Sequence, residues 1–545
     1  MKKLYFGGPI LTMDKACPRA EALLTENGKI LALGSYDALN CPQAERIDLK
    51  GRTLMPGFVD GHSHMINMGM DLTQRCSLTG CGSFAEILDR IRAFRTERGL
   101  THGEPISARG YDLALLKEGT HPTAELLDQL EFDNPVCCTH QSGHMKACNT
   151  VAMKKAGVSA DTYVCPEGGF VGKNADGELN GYFEEKAMGA CSAAFESANP
   201  EQEMEEAILA AQEHYIRHGF TTVQEGSGNG VQRIGCFDRL AKENRLKVDV
   251  VAYMASTPSG LEELSPFREE YEKTYKNHLK LGGIKFFLDG SPQAKTAWMQ
   301  RPYEGETEYR GYPTLTAEQV EEKLKLALDN GIQPMAHCNG DAACEQYVKA
   351  WEKVSRGGKK GAHLRPVMIH AQTVTYDQLD RMAKTGMMAS FFVGHCWFWG
   401  DTHLANMGDR GMRISPAKTA LEKGVPFSIH QDCPVTPPDM LHSVWCAVNR
   451  ITRSGISIGE ENRIDSYDAL IAATRGGAYG YFEEDTKGVL KPGAVADFVI
   501  LGEDPTAADP MQIRDIPVLA TIKEDVVIYR KDGFTLCSLS SIPMS

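Results

Sequence analysis

Two histidines one residue apart, His62 and His64 in the stretch MPGFVDGHSHM (residues 55–65), follow a short apolar run that ends in Asp-Gly. Alternate residues of an extended segment project to the same side, so both imidazoles can aim at one point. Imidazole nitrogens that converge on a point form a metal-binding arrangement. A His-x-His pair alone is more often a polar loop mouth than a ligand pair, so the question is whether the rest of the chain supplies more ligands.

The elements that would have to position them can be read from the hydrophobic pattern. The runs GFVDGHSH, TTVQEG (221–226), VDVVAYM (248–254), GIKFFLDGS (283–291), IQPMAHCNGD (332–341), PVMIHAQT (366–373), MMASFFVGH (387–395) and PFSIHQDCPV (426–435) read as eight strands. Between them lie stretches such as TAEQVEEKLKLALDN, whose apolar positions recur at helical spacing. Eight alternating strands and helices predict an α/β fold, a (β/α)8 barrel of TIM type, whose active sites form where the C-terminal ends of the strands converge.

The polar residues that interrupt these runs or end them are His62 and His64 on strand 1, Lys285 on strand 4, His337 on strand 5, His370 on strand 6 and Asp432 on strand 8. Each alone has an ordinary reading: a hydrogen-bonded core histidine, a lysine reaching solvent, a helix-capping aspartate. Together they are the several N and O donors that a metal site brings into one place.

The flanking segments PGFVDGHSH, GGIKFFLDGS, MAHCNGDAA, VMIHAQTV, FFVGHCWFWGD, SIHQDCPVTP and KGVLKPGAVADFVIL, spread over residues 56–501, carry a family likeness. It resembles the amidohydrolase superfamily and, within it, amidohydrolase family 3, the YtcJ-like group that includes N-substituted formamide deformylases. The resemblance implies that His62 and His64 bind one divalent metal, that His337 and His370 bind a second, and that Lys285 bridges them as an N-carboxylated lysine. It further implies that Asp432 binds the first metal and accepts the proton of the attacking water before passing it to the leaving nitrogen. An ammonium cannot ligate a cation, whereas its carbon dioxide adduct is an anion with two oxygens, so the modification is chemically coherent. Zinc suits a set of imidazoles with carboxylate, with manganese or iron as alternatives. The chain departs from the family pattern at RPVMIH, at SGHM around His144 and at Gln431, none of which removes a ligand.

Further candidates line the expected mouth. His395, just past strand 7, is placed to hydrogen-bond a substrate carbonyl or developing oxyanion. His144 and Tyr111 in the segment after strand 1, Asp289, Thr296 and Trp298 after strand 4, and the aromatic group Trp397, Phe398 and Trp399 are candidate substrate contacts.

Three units are expected. Residues 1–55 and 485–545 read as short strands and turns, with Asn27-Gly28 as a hairpin signal, and predict one composite β-sandwich domain built from both termini. Residues 56–67 and 201–484 form the barrel. Residues 68–200, too long for a barrel loop, form an inserted α/β subdomain expected to act as a lid.

Composition narrows the class. The 545 residues are 42% hydrophobic and 24% charged, and 58 basic side chains against 72 acidic ones give a net charge of −14. No long basic run is present to hold a polyanion, so nucleic acid is not an expected partner. No stretch approaches the roughly 18 apolar residues of a membrane span, and the first residues make a poor signal peptide because Gly-Gly-Pro and an Asp interrupt them. The sixteen scattered cysteines read as reduced thiols of a cytoplasmic enzyme. A homodimer is expected only from the prevalence of two-fold assemblies.

These observations predict a metal-dependent hydrolase of a C–N bond, an amide, N-acyl or N-formyl group on a small molecule. Hydrolysis of a cyclic amide or an ester would use the same groups with a different pocket. A regulatory or binding protein that keeps the fold without turnover is the alternative from another class.

Overall fold

The computed structural model describes residues 1–39, 41–272 and 274–539, with the side chains of 537–539 excepted, so residues 540–545 of the expected C-terminal segment lie outside the described residues. All eight predicted strand segments form one sheet: β1 (Phe58–Val59), β2 (Phe220–Asn229), β3 (Asp249–Ala255), β4 (Leu279–Phe287), β5 (Pro334–Cys338), β6 (Val367–His370), β7 (Met388–Phe391) and β8 (Phe427–Ile429). Every neighbouring pair in the order β1 to β8 is parallel. The two ends of this order approach each other without a ladder. A Cβ on Gly61 would lie 2.6 Å from Ser428 Oγ and 3.0 Å from the Ile429 carbonyl oxygen, so only glycine lets the chain after β1 pass that close to β8. The sheet therefore curls into an α/β barrel-like structure.

The crossover helices carry their own stop and start signals. Ala317–Asn330, between β4 and β5, begins with a reciprocal capping box between Thr316 and Gln319 and ends at Gly331 with φ 65°. Tyr376–Thr385, between β6 and β7, repeats the device with Thr375, Gln378 and Gly386. Their apolar faces join the principal core, in which Phe286, Tyr347, Trp351, Met368 and Met382 are all nearly or wholly buried.

Strands from both termini build a second, nine-stranded sheet. Phe498–Leu501 lies antiparallel to Thr53–Pro56 with Phe498 opposite Pro56, so the end of the chain pairs with the strand that leads into the barrel. Arg19–Glu26 and Lys29–Gly34 flank Asn27 (φ 51°) and Gly28 (φ 75°), both left-handed as a two-residue hairpin requires.

Between β1 and β2 the chain forms a six-stranded sheet with Cys76–Ser77 at one edge and Gly169–Lys173 at the other. It is tied to the barrel by named bonds: Gln141 Nε2 donates to Val435 O (2.5 Å), Trp399 Nε1 to Asp112 Oδ2 (2.9 Å) and Tyr312 OH to Glu184 Oε2 (2.8 Å).

Candidate metal centre

Each histidine of the predicted set stands at the C-terminal end of a barrel strand, with one ring nitrogen turned outward to a partner and the other inward. His62 Nδ1 lies 2.5 Å from Gln224 Oε1. Gln224 Nε2 donates to Tyr481 OH at 2.9 Å, and because that hydroxyl gives its own proton to Asp60 O, the other end of the amide is the oxygen. His62 must therefore donate from Nδ1, and its Nε2 faces inward as a lone pair. His64 bonds Ser227 Oγ through Nδ1 (2.9 Å) and turns Nε2 toward Asp432 Oδ1 at 3.2 Å. His337 donates Nε2–H to Gly290 O (3.0 Å).

The fourth imidazole is held by a chain of side chains. His370 Nδ1 lies 3.2 Å from His430 Nε2, and His430 Nδ1 lies 2.8 Å from Ser390 Oγ, which in turn reaches Gly61 O at 3.3 Å. The chain is satisfied throughout when His370 donates to His430, His430 to Ser390, and Ser390 to the carbonyl. His370 Nε2 is then an inward lone pair, 3.1 Å from His337 Nδ1 and 3.9 Å from Asp432 Oδ2.

Inward lone pairs facing one another are repulsive unless a cation lies among them. Burial pushes the His62, His337 and His370 pKa values well down, so these imidazoles are neutral. For Asp432 burial acts upward, but the bond from His64 and the adjacent imidazoles outweigh it and hold the carboxyl well below its ordinary range. Its Oδ1 is buried, with His64 Nε2 at 3.2 Å and His62 Nε2 at 3.6 Å as its neighbours. Nitrogen and oxygen donors with their lone pairs free fit a divalent metal, and one donor atom each from His62, His64 and Asp432 lie within 4.8 Å of one another. His370 (φ 67°) and Asp432 (φ 54°) also hold left-handed backbone, strain that costs on the order of 1–2 kcal/mol per residue and is tolerated where a side chain must be aimed.

Lys285 Nζ stands 3.1 Å from His62 Nε2 and is nearly wholly buried. Burial lowers its pKa to about 7, so a neutral amine is available near neutrality. A second cluster of acid and imidazole groups, Asp249, His278 and Glu524, meets the same spacing, but Lys487 and Lys523 place their ammonium nitrogens 2.5 and 2.9 Å from Asp249 Oδ2. Those cations already neutralise it.

The remaining predicted residues divide. His144 is brought to the centre: its ring centroid lies 5.0 Å from that of His337, and Glu185 Oε2 holds its Nδ1 at 2.9 Å. His395 lies one ring away, since Phe392 contacts both His395 (4.5 Å) and His430 (5.3 Å). Asp289 is close to His337, yet its oxygens accept from the backbone N–H groups of Asn339 (2.9 Å), Gly340 (2.7 Å) and Trp298 (2.9 Å), so it braces the loops beyond β4 and β5. Thr296 bonds Ser291 N within the same loop (2.8 Å), and the Trp298 ring packs against the principal core. The Trp397 ring packs edge-on against Trp445 at 5.2 Å under the guanidinium of Arg514, and Trp399 is anchored to Asp112. Tyr111 is fully buried and bonded to His121.

Sequence reasoning missed Gln224, Ser227 and His430. His430 had a signal: it precedes Asp432 by two residues, the same spacing as His62 and His64.

Fold and site together are those of a β/α-barrel hydrolase whose donor groups fit a divalent metal. The amidohydrolase family model matches residues 45–529, and the chain belongs to that family, in its YtcJ-like group. It is 28% identical to YtcJ of Bacillus subtilis (strain 168), named a candidate amidohydrolase, over 97% of this chain and all of that one. It is 23% identical to N-substituted formamide deformylase of Arthrobacter pascens, over 96% and 97% of the two chains. Among solved structures, an uncharacterized metal-dependent hydrolase from Pyrococcus horikoshii OT3 superimposes with a TM-score of 0.74 at 23% identity, covering 94% of this chain and 99% of that one, which supports the fold. Among the described residues, no helix is long and apolar enough to cross a membrane.

Proposed function

We propose that this protein hydrolyses a C–N bond, an amide, N-acyl or N-formyl group, of a small molecule. The observation that carries the reading is the buried Asp432 carboxylate, ringed by the imidazole nitrogens of His62, His64 and His370. His62, His64 and Asp432 would hold one divalent ion, zinc by donor chemistry, and His337 and His370 a second, with Lys285 between them as a carbamate. A bound ion supplies Lewis acidity and lowers the pKa of water toward ~7.

The protein's own groups do the rest. Asp432, held anionic, takes the proton of the attacking water and delivers it to the departing nitrogen, which cannot leave as an amide anion. His395 donates to the carbonyl oxygen as negative charge develops there. His144 borders the His337 side and contacts the substrate portion beyond the scissile bond. The formamide deformylase relative supports N-formyl compounds as the first substrates to try.

Profiling the purified enzyme on N-formyl amines, linear N-acyl compounds, cyclic amides and esters tests the reading, with Asp432→Asn as control. Turnover of linear amides that falls about 10²-fold or more in the variant is expected. Turnover confined to cyclic amides or esters would replace the substrate assignment. No turnover of any substrate by metal-loaded protein would favour a binding role.

A further inference from the structure

We infer that His403 is a positioning residue for His395, donating its Nε2–H to His395 Nδ1 and so presenting His395 Nε2–H to the reaction site as a neutral hydrogen-bond donor. The inference rests on the hydrolase reading for its purpose, a donor aimed at an amide carbonyl oxygen, but its geometry stands alone.

His395 Nδ1 and His403 Nε2 are 2.8 Å apart, and the two rings are nearly parallel at 5° with centroids 5.1 Å apart. That separation is an edge-to-edge contact in nearly one plane, the arrangement of an N–H···N bond, rather than face-to-face stacking. One proton lies between the rings, and the question is which ring owns it. Both imidazoles are buried and neutral, burial pushing the His403 pKa down to about 3, so each ring has one N–H.

The far nitrogens decide the assignment. His403 Nδ1 is enclosed and has no partner among the described residues. If His395 owned the shared proton, His403 would have to carry its own N–H on that enclosed nitrogen, and a buried donor without an acceptor is the costlier kind of orphan. If His403 owns it, the enclosed nitrogen is only a bare acceptor, and the proton of His395 moves to Nε2.

The ring is also fixed from its other faces. Phe392 meets it edge-on, and the Trp399 ring lies 4.8 Å away, held in turn by Asp112 Oδ2 at 2.9 Å. The segment between β1 and β2 thus helps hold the ring that His403 polarises, which binds the tautomer and the orientation into one device. A neutral donor suits an oxygen that gains charge only during reaction, because it adds no fixed cation beside the metal ligands.

The test uses full-length, metal-loaded protein with 15N-labelled histidine, the His395 resonances being assigned by their loss in His395→Gln. Nitrogen chemical shifts read the tautomer in wild type, His403→Phe and His403→Gln. Wild type is expected as Nε2–H, His403→Phe as Nδ1–H or a mixture, and His403→Gln, whose amide can still donate to Nδ1, as Nε2–H again. In parallel, His403→Phe should lose about tenfold or more in kcat with KM within about twofold, and His403→Gln should recover most of the loss. An Nδ1–H tautomer in wild type, or one tautomer shared by all three proteins, overturns the inference; if His403→Phe does not fold, His403→Leu takes its place. Failure of the amide reading has a different signature, the tautomer shift without turnover of any amide.

Discussion

His337 Nδ1 and His370 Nε2 face each other at 3.1 Å, while the other nitrogen of each ring is already a donor, to Gly290 O and toward His430 Nε2. Two lone pairs so close are held apart from protons by the bonds behind them. Partners on other strands and loops fix which nitrogen of each ring carries hydrogen, and this leaves donor atoms that would suit a divalent ion.

That arrangement predicts the metal content. Protein purified without added metal should carry about two equivalents of divalent ion, and His370→Ala or His337→Ala about one. Elemental analysis reads this directly. Equal metal in wild type and both variants would remove the second position.

The supporting residues should matter nearly as much as the ligands. Gln224→Leu removes the acceptor of His62 Nδ1–H, and His430→Leu removes that of His370 Nδ1–H. Each should weaken metal binding about 10–100-fold through tautomer and ring orientation. Competition with a chromogenic chelator measures the affinity, and an unchanged value in both variants would refute the tautomer assignment.

Lys285 gives a pH dependence. Addition of carbon dioxide needs the neutral amine and releases one proton as the N–C bond forms, and burial lowers the Lys285 pKa to about 7. Below that value the group is an ammonium and inert; above it the amine is free. Loading of metal-depleted protein with 13C-bicarbonate and zinc should therefore rise as pH increases through about 7, seen as a carbamate 13C resonance that Lys285→Met lacks. A signal that persists in Lys285→Met places the modification elsewhere.

The strands and the clustered donor residues were legible for one physical reason. Buried parallel strands must be apolar, so a histidine, lysine or aspartate at the end of such a run stands out, as His337 does in PMAHC and Asp432 does after FSI. What surrounds the ligands was less legible, because a hydrogen-bond partner is fixed by register between strands. Ser227 reaches His64 from within the stretch where the β2–β3 register breaks between Glu225 and Asn229, and nothing local in QEGSGN announces that bond. Asp289 looked like a substrate contact because a carboxylate after a strand usually is free. Here β4 and β5 bring three backbone N–H groups to it, and the sequence does not show which amides lack partners.

The terminal sheet is fastened to the barrel by buried charge, and that bond sets a stability prediction. Asp249 opens β3 and accepts Lys487 and Lys523, the latter from a strand of the terminal sheet that also binds Asp497 at 2.9 Å. Burial acts to raise the Asp249 pKa, but the two ammonium groups reverse this and hold it well below the carboxylate range. A depressed folded pKa gives stability that is present above the unfolded value of about 4 and is lost as pH falls through the folded one. Asp249→Asn keeps the shape and removes the charge, leaving both ammonium groups under-neutralised in a buried setting. Breaking a buried pair in this way costs about 3–5 kcal/mol. Tm at pH 7 should fall by several degrees with metal content unchanged, and the gap to wild type should narrow as pH approaches the folded pKa, where the wild-type carboxylate is itself protonated. A Tm equal to wild type at pH 7 would mean that Asp497, rather than Asp249, carries the link between the barrel and the terminal sheet.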